Sequence, residues 1–531
     1  MKFTEMTYFQ RLTNFEKRAV YFSLFMLAGL FALSSFHKMG GYGVETDFYW
    51  AYAPDAQRLL NGEMPQEPGV GPGYALTLAF FNLIVGDWFT TGKIVSILSA
   101  VLCGFFTFKL VRDLFNERVA FFTLILWHVT VLPWSIVAGT DMFFAFLVAV
   151  SIYFLFRGGE VTASNLLLAG LFMGLAYLTR HNAIVLPIGV AIVVLFLNPE
   201  SWPVNLRLKR LAIFLTAFVA INLPWVLLQY FDSGTPVRSD SYLIIASHFY
   251  GRPGVVSSED MRLAAQKFDS LWSVVFYDFG HFVKHYLLNI YHHFYDFLIN
   301  SLKFPSFLFV AAGLLVLLPR MSKKQVALFV FPVLSFLLLC LVHYEPRYYL
   351  YLISFFIIPI TYFLFQNEES HDRSGLVIAK YLRQIAFGMT VLFLLAFSAK
   401  EVKRTIQDEP RELLEMANGL RNKVERGSGL IARKPHLGFL TGLKTVYFPE
   451  VDSLSDLLAY AASENADYIL YGEIEAKRRP ELRALLQPEN VSEQLEPIYV
   501  WDDPLTVVYK VKSHLTSNTL GDEQNIGFQT W

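Results

Sequence analysis

The stretch VAFFTLILWHVTVLPWSIVAGTDMFFAFLVAVSIYFLFR, residues 119–157, contains two apolar runs that are separated by a tight turn at Gly139 and Thr140. Each run approaches the length of about 20 helical residues that crosses the hydrocarbon core of a bilayer. The Asp, Glu, Lys and Arg residues of this stretch are Asp141 at the turn and Arg157 at the end. The stretch therefore predicts two membrane-spanning helices joined by a short connection.

The composition of the whole chain extends this prediction. Of the 531 residues, 54% are hydrophobic and only 17% are charged, whereas a soluble domain has about 25% charged residues. The formal net charge is −1, which gives no indication of a nucleic-acid partner. The two cysteines, Cys103 and Cys340, lie in separate apolar runs and are interpreted as small hydrophobic residues. The chain is predicted to be a polytopic membrane protein.

Apolar runs of similar length predict a mainly α protein, a membrane helical bundle with about eleven transmembrane helices. Residues 1–22 contain no short apolar region followed by a small-residue cleavage site, so we expect the first span to be a retained helix. The predicted spans lie near residues 19–36, 91–109, 119–137, 141–157, 164–180, 183–198, 210–229, 303–319, 325–342, 348–365 and 382–398.

The basic residues between these spans predict the orientation. The basic residues named at the end of this paragraph fall on one side of the membrane, and by the positive-inside rule that side is cytoplasmic. The N-terminus is then cytoplasmic and, with an odd number of spans, the C-terminus is outside. The basic residues are Lys2, Arg11, Lys17, Arg18, Lys109, Arg112, Arg118, Arg157, Arg207, Lys209, Arg210, Arg320, Lys323, Lys324, Arg373, Lys380 and Arg383.

The chain is predicted to have two domains, a transmembrane module at 1–399 and a small extracytoplasmic α/β domain at 400–531. The module has two long outside loops, 37–90 and 230–302. Within the first loop, residues 71–86 are apolar but short, which favours an interfacial or re-entrant helix. Within the second, alternating aromatic and polar residues indicate amphipathic helices.

The C-terminal domain is predicted from shorter runs of alternating character. Strand-like runs occur at 429–432, 445–448 and 467–471, and a hairpin is predicted at 498–512 with its turn at Asp502-Asp503-Pro504. Helix-like stretches occur at 409–423, 454–463 and 479–486.

Carboxylates follow the first predicted span in VETDFYWAYAPDAQRLLNGEMP, residues 44–65. Asp47 lies where a span ends and an outside loop begins, so its carboxylate is placed to accept a proton from an incoming hydroxyl group. The alternative is an interfacial acid that hydrogen bonds or water hold. Glu45 and Asp55 are interpreted as loop and helix-surface charges. Asp141 lies at the outer end of another span, where Thr140 or Asp141 is expected to cap the following helix.

Basic residues are also expected at the outer boundary. Arg180 and His181 lie at the outer turn between the fifth and sixth spans, where they contact lipid headgroups or capture an anionic group. An arginine suits a phosphate because its planar fork donates two parallel hydrogen bonds. Another group, His343, Glu345 and Arg347, opens the tenth span in HYEPRYYLYLISFFIIP, residues 343–359. A surface ion pair beside an interfacial tyrosine belt is the alternative there.

Four residues, Asp47, Asp141, Arg180 and Arg347, are predicted to lie at the same depth in the membrane. This common depth is more informative than each residue alone. The four residues are far apart in sequence, yet all are predicted at the outer membrane boundary. A carboxylate base with arginines at that level suggests group transfer from an anionic lipid carrier. No Walker loop, HExxH motif or supported GxSxG motif occurs in the sequence.

The order of motifs resembles the GT-C membrane glycosyltransferases, in the bacterial branch related to protein O-mannosyltransferases and lipid A aminoarabinose transferases. The resemblance covers about residues 15–400, and the remaining tail resembles the outside domain that some members carry. The motifs that carry it are TDFYWAYAPDAQRLLNGEMP (46–65), GPGYALTLAFFNLIVGD (71–87), VRDLFNERVAFFTLIL (111–126), AGTDMFFAFLVAVSIYFLFR (138–157), LLAGLFMGLAYLTRHNAIVLPIG (167–189) and HYEPRYYLYLISFFIIP (343–359).

The resemblance implies a sugar donor linked to polyprenyl phosphate in the outer leaflet, and transfer with inversion to an acceptor outside. Asp47 matches the family's catalytic base and Asp141 its second acid, and Arg347 and then Arg180 are candidates for the donor phosphate. The first motif has Thr-Asp-Phe where many relatives have two adjacent acids, so Glu45 is the rival base.

The sequence does not determine the metal or the acceptor of the reaction. The family is diverse in metal use and the chain has no clear ligand cluster, so no cofactor is assigned and a divalent metal stays open. The acceptor is a lipid, a glycan or a protein. Other candidate site residues are Glu345, His343, His181 and Asp55. The expected location is the bacterial cytoplasmic membrane, and the alternative function is a transporter or flippase of a lipid-linked substrate.

Overall fold

The computed structural model describes residues 12–66, 70–158, 162–198, 200–235, 241–251, 258–303, 306–365 and 373–512. The chain forms two compact units. The first unit comprises Met1–Gly40 and Ala51–Glu409, and the second comprises Gly41–Trp50 and Pro410–Trp531.

Among the described residues of the first unit, all regular elements are helices. Short 3₁₀-helices at His181–Ile184 and Pro346–Leu352 precede two of its helices. The α-helices are α1 (Asn14–Ser34), α2 (Ala53–Leu60), α3 (Pro72–Val85), α4 (Trp88–Leu114), α5 (Glu117–Val131), α6 (Thr140–Phe156), α7 (Ala163–Thr179), α8 (Val185–Ile192), α9 (Val204–Ser233), α10 (Ser241–Tyr250), α11 (Ser258–Ala265), α12 (Leu271–Tyr277), α13 (Phe279–Asp296), α14 (Ser306–Leu317), α15 (Lys323–Leu339), α16 (Ile353–Phe365) and α17 (Arg373–Gln407).

The prediction of a mainly helical polytopic membrane protein is confirmed. Each of the eleven predicted segments contains a helix. Within the described residues, five helices are long and apolar enough to cross a membrane, or six if the bent pair Phe279–Ser301 and Ser306–Arg320 forms one span. Others, such as Thr140–Phe156 and Ala163–Thr179, are apolar but shorter. The count of eleven spans therefore stays a prediction.

Side-chain caps fix several helix starts. Asp87 accepts a hydrogen bond from the Thr90 amide at 2.8 Å at the start of α4, and Asn116 does the same for Val119 at the start of α5. The capping expectation for α6 is wrong, because Gly139 is the N-cap residue and no side chain caps the helix. Thr140 and Asp141 lie in the first turn and have other partners.

Buried pairs join helices of the first unit that are distant in sequence. Phe122 of α5 and Phe365 of α16 stack with ring centroids 3.7 Å apart. The hydroxyl groups of Thr123 and Thr361 lie 2.7 Å apart between the same helices. The indole nitrogen of Trp127 donates to the carbonyl of Ala100 in α4 at 3.1 Å. Helices α4, α5 and α16 thus form one packed core.

Helices α7 and α9 approach closely at two glycines, Gly170 and Gly174. A Cβ atom at Gly170 would collide with the carbonyl oxygen of Phe214, and one at Gly174 would collide with the Ile221 side chain. The spacing of four residues is the small-xxx-small pattern that lets two membrane helices pack backbone to backbone.

Gly170→Ala is expected to destabilise the protein by about 1–3 kcal/mol, because the opposing carbonyl is backbone and cannot rotate away. The measurement is the melting temperature of the purified protein in detergent. Gly388→Ala in α17 is the matched control, since nothing lies within 4 Å of a Cβ atom there. An equal melting temperature for the two variants would contradict the close helix packing.

The second unit is a small α/β domain with a five-stranded sheet of order β2-β1-β3-β5-β4. Strand β1 pairs in parallel with β2 and β3, and β5 pairs antiparallel with β3 and β4. Leu430 is opposite Thr445 in the first pairing, and Leu470 is opposite Val508 in the β3–β5 pairing. The elements are α18 (Glu412–Leu420), β1 (Gly429–Ala432), α19 (His436–Thr441), β2 (Lys444–Tyr447), α20 (Leu454–Ser463), β3 (Ala466–Gly472), α21 (Glu473–Arg478), β4 (Leu495–Asp502) and β5 (Leu505–Val511).

The predicted strands of this unit agree with the structure to within one residue at each end for the first three. The hairpin prediction is correct, although its first strand begins at Leu495, before the predicted start at 498. Residues 479–486 form a 3₁₀-helix, Pro480–Leu486, instead of an α-helix. Residues 513–531 of the predicted domain lie outside the described residues.

The two loop regions predicted to contain helices do contain them. Residues 71–86 form α3, which ends at Gly86 with a φ of 77°, a left-handed conformation that glycine adopts without strain. The segment 230–302 contains α10 to α13, and α13 exposes Leu287 and Tyr291 while it buries Asn289 and His293. The lipid-facing position of these helices stays a prediction.

Candidate active site

A buried ion pair joins the ends of two helices in the first unit. Arg180 follows the last residue of α7, and its Nη1 atom lies 2.9 Å from Oδ1 of Asp141 in the first turn of α6. The Arg180 Nε–H donates to the Thr140 hydroxyl at 2.9 Å. The two charged side chains are 14% and 7% exposed. This guanidinium is thus held by two neighbouring residues of α6.

Tyr348 lies near two guanidinium groups. The Arg180 guanidinium is 5.4 Å from the Tyr348 ring centroid and the Arg347 guanidinium is 5.3 Å from it, which is within the range of cation–π attraction. The structure therefore brings together Arg180, Asp141 and Arg347, three of the four residues predicted at the outer boundary.

Arg347 has an acidic neighbour in Glu345. Its Nε atom is 4.0 Å from Oε1 of Glu345, at the limit of an ion pair, and Glu345 is 35% exposed. The Arg347 side chain itself is only 15% exposed. The surface ion pair that was the alternative interpretation does not describe this arginine, because it is largely buried.

Two histidines extend this group of residues. The His343 ring is 5.9 Å from the Tyr348 ring and 6.5 Å from the His248 ring of α10. Burial, together with His285 and His343, lowers the pKa of His248 to about 4, and burial lowers the pKa of His343. Burial thus disfavours the charged form of both imidazoles, and the arginines, which stay protonated, supply the fixed positive charge.

Two further candidates have other surroundings. The His181 ring lies 5.3 Å from the Tyr177 ring on the preceding turn. Asp55, which is 3% exposed, accepts a hydrogen bond from the Gln66 amide at 2.9 Å. The interpretation of Asp55 as a helix-surface charge is wrong, because α2 buries this side chain.

Glu45 and Asp47 belong to the second unit. Glu45 is 3% exposed and accepts a hydrogen bond from the Gly41 amide at 2.7 Å, so the interpretation of it as a loop surface charge is wrong. Asp47 is half-buried. It attracts the ammonium of Lys434 and thereby raises that lysine's pKa, although burial and the nearby Arg433 and Arg478 lower the pKa overall.

Sequence reasoning missed three residues that interact with the candidate site residues. Thr140 binds Arg180, the Tyr348 ring lies near two arginines, and Lys434 interacts with Asp47. A signal for Lys434 was present, since the basic pair Arg433-Lys434 directly follows a predicted strand. Among the described residues, no group of three or more His, Cys, Asp or Glu side chains is arranged to hold a metal ion. No metal ligands are assigned.

Part of the first unit matches a known protein family. Residues 67–227 match a protein-family model described as dolichyl-phosphate-mannose-protein mannosyltransferase. No curated protein sequence matches the chain.

Solved structures match over most of the chain. The apo structure of ArnT from Cupriavidus metallidurans is 12% identical, with a TM-score of 0.60 over 93% of this chain and 98% of ArnT. ArnT bound to undecaprenyl phosphate is 14% identical, with a TM-score of 0.56 over 94% and 99%. The oligosaccharyltransferase AglB from Archaeoglobus fulgidus, in complex with an inhibitory peptide and a dolichol-phosphate, is 13% identical, with a TM-score of 0.57 over 88% and 70%.

Proposed function

We propose that this chain, which has the GT-C fold of the protein mannosyltransferase and ArnT type, is an inverting glycosyltransferase. It moves a sugar from a polyprenyl-phosphate donor to an acceptor on the outer face of a bacterial cytoplasmic membrane. The acceptor is a lipid, a glycan or a protein. In this proposal the N-terminus is cytoplasmic and the C-terminal domain is extracytoplasmic.

The observation that supports this function best is the buried pair of arginines around Tyr348. Arg180 and Arg347 are both largely buried, and the fold is one whose solved examples include complexes with undecaprenyl phosphate and dolichol-phosphate. A phosphate group would receive charge-assisted hydrogen bonds from guanidinium groups. We assign Arg347 as the leading phosphate ligand because it lies in the motif HYEPRYYLYLISFFIIP, which resembles the late motif of the GT-C family.

The chemistry assigned to these residues is a displacement at the anomeric carbon. The acceptor oxygen forms a bond to that carbon while the bond from carbon to the phosphate oxygen breaks. Polyprenyl phosphate leaves with the electron pair, and the acceptor proton passes to the Asp47 carboxylate. Arginines near the leaving phosphate stabilise the charge that develops on it, and the carboxylate contributes general-base catalysis.

Asp47 is preferred over Glu45 as the base because of the surroundings of the two acids. Glu45 is almost fully buried and its Oε2 atom accepts the backbone amide of Gly41. Asp47 is only half-buried. The second acid, Asp141, is assigned to the orientation of Arg180, because its oxygen forms the short ion pair.

The experiment that tests the function measures the release of polyprenyl phosphate. Purified protein is incubated with polyprenyl-phosphate sugars and a pool of lipid, glycan and peptide acceptors. Release of polyprenyl phosphate with a new glycosylated acceptor supports the proposal. Movement of the intact donor across a vesicle membrane, with no release from any donor, would instead support a transporter or flippase.

Arg347→Gln is expected to lower kcat/KM for the donor by about 10–100-fold, because a charge-assisted hydrogen bond contributes about 1.5–3 kcal/mol. The initial rate of donor cleavage measured against donor concentration tests this. Arg404→Gln is the matched control, since Arg404 is exposed on α17 and forms an ion pair with the exposed Asp408 four residues further along the chain. Equal kinetics for the two variants would remove Arg347 from the phosphate site.

A further inference from the structure

The segment Gly41–Trp50, which carries Asp47, packs within the same compact unit as the C-terminal α/β domain. Trp50 stacks on Tyr447 of β2 with ring centroids 4.3 Å apart and an interplanar angle of 28°. Tyr49 lies 4.6 Å from the His436 ring and 5.3 Å from the Phe439 ring of α19. Two successive aromatic residues after Asp47 are therefore anchored on one domain.

The beginning of the segment is anchored in the same way. His436 Nε2 lies 3.2 Å from the carbonyl oxygen of Gly41, and the Arg433 guanidinium lies 4.9 Å from the Tyr42 ring. The Arg433 Nε–H in turn donates to Glu475 at 3.0 Å. Both ends of the segment thus contact the C-terminal domain, and Asp47 lies between them.

These contacts come from the carboxyl edge of the parallel part of the sheet. Strand β1 ends at Ala432, and Arg433, Lys434 and His436 follow it directly. In open α/β sheets the carboxyl ends of parallel strands form the edge at which ligands bind. Here that edge holds the chain's own segment 41–50.

Lys434 is the cation of this edge that reaches the residues beside Asp47. Its ammonium donates to the Thr46 hydroxyl at 3.1 Å, and the Thr46 hydroxyl donates to the Tyr42 carbonyl at 2.9 Å. Arg433 is paired with Glu475. The charged groups that act on Lys434 are Arg433, Asp47 and Arg478.

We propose that the C-terminal domain takes part in catalysis by holding the segment Gly41–Trp50, and that Lys434 is the positioning residue for Asp47. This inference rests on the proposed function, since it assigns Asp47 the role of base. Lys434 orients the segment through Thr46 and keeps a positive charge next to the Asp47 carboxylate. It does not touch the donor.

The charge of Lys434 makes the inference testable by pH. Burial, Arg433 and Arg478 lower the pKa of Lys434, so this lysine loses its charge at a lower pH than an exposed lysine does. As pH rises through that pKa, the positive charge beside Asp47 disappears. Activity is then expected to fall on the basic side. An arginine at the same position keeps its charge throughout this range.

The experiment compares Lys434→Ala, Lys434→Arg and the control Lys510→Ala, an exposed lysine on β5. Lys434→Ala is expected to lower kcat by about 10-fold or more, consistent with loss of a charge-assisted interaction, with a smaller change in KM for the donor. Lys434→Arg is expected to restore most of the activity and to move the basic limb of the kcat profile to higher pH. Lys510→Ala is expected to behave as the wild type.

Two results would overturn the inference. One is an unchanged basic limb in Lys434→Arg, and the other is equal kcat for Lys434→Ala and Lys510→Ala. A lowered melting temperature would reveal a folding defect in Lys434→Ala. In that case the basic limb of the kcat profile of Lys434→Arg still tests the inference. Absence of donor cleavage by the wild type would instead count against the proposed function. If the wild type is active and Asp47→Asn is inactive, the proposed function stands, and the Lys434 variants then test the positioning role alone.

Discussion

Asp47→Asn is expected to lower the rate of sugar transfer by about 10²–10⁴-fold, the usual contribution of a general base. Asparagine has nearly the same shape as aspartate but cannot take the acceptor proton. Trp50, Tyr49 and Thr46 contact the C-terminal domain through their own side chains, so we expect the segment to stay in place. The measurement is initial-rate transfer with saturating donor and acceptor.

The control for this substitution is Asp467→Asn, an exposed aspartate on β3 of the same unit. It is expected to leave the rate unchanged. Glu45→Gln separates the two acids of the first motif, because it neutralises the rival base while Asp47 stays intact. Full transfer activity in Asp47→Asn, with Glu45 and Asp141 present, would remove Asp47 from the role of base.

Arg180→Met is expected to destabilise the protein by about 3–5 kcal/mol and to abolish activity. The substitution leaves the Asp141 carboxylate, which is 7% exposed, without its cation in a buried position, and an uncompensated buried charge is costly. It also removes the donor to Thr140. The measurement is the melting temperature in detergent together with the rate of donor cleavage.

A double variant separates stability from function. Arg180→Met with Asp141→Asn removes both charges, so most of the lost stability is expected to return. Activity is not expected to return, because the Arg180 guanidinium is still absent. If the double variant melts as low as Arg180→Met alone, the ion pair is not the source of the instability. If it regains activity, Arg180 has no part in the reaction.

Much of the architecture followed from local patterns in the sequence. The apolar runs at 119–137 and 141–157 contain helices α5 and α6, because the length of an apolar run is a property of neighbouring residues. The strands at 429–432 and 467–471 were also predicted from neighbouring residues, because each is a short strand-like run. The stretch at 479–486 was predicted only as helix-like, and the structure has a 3₁₀-helix at Pro480–Leu486, because short helices of the two types have similar sequence patterns.

The site was predictable only in part. From the sequence, Asp141, Arg180 and Arg347 are predicted at the same membrane depth. In the structure Asp141 pairs with Arg180, and both arginines lie near the Tyr348 ring. Sequence reasoning gave the wrong surroundings for Glu45 and Asp55, because burial depends on which other segments pack over a residue. Thr140 was expected to cap α6, yet it accepts a hydrogen bond from Arg180 instead.

The sequence by itself determined that this chain is a helical membrane protein with a small α/β domain, and it singled out Asp47. Those features depend on composition and on spacing along the chain. Only the tertiary structure decided that Arg180 pairs with Asp141 and that the segment Gly41–Trp50 packs with the C-terminal domain. Each of these contacts joins residues that are distant in sequence, so packing of the folded chain, and not local pattern, selects the partners.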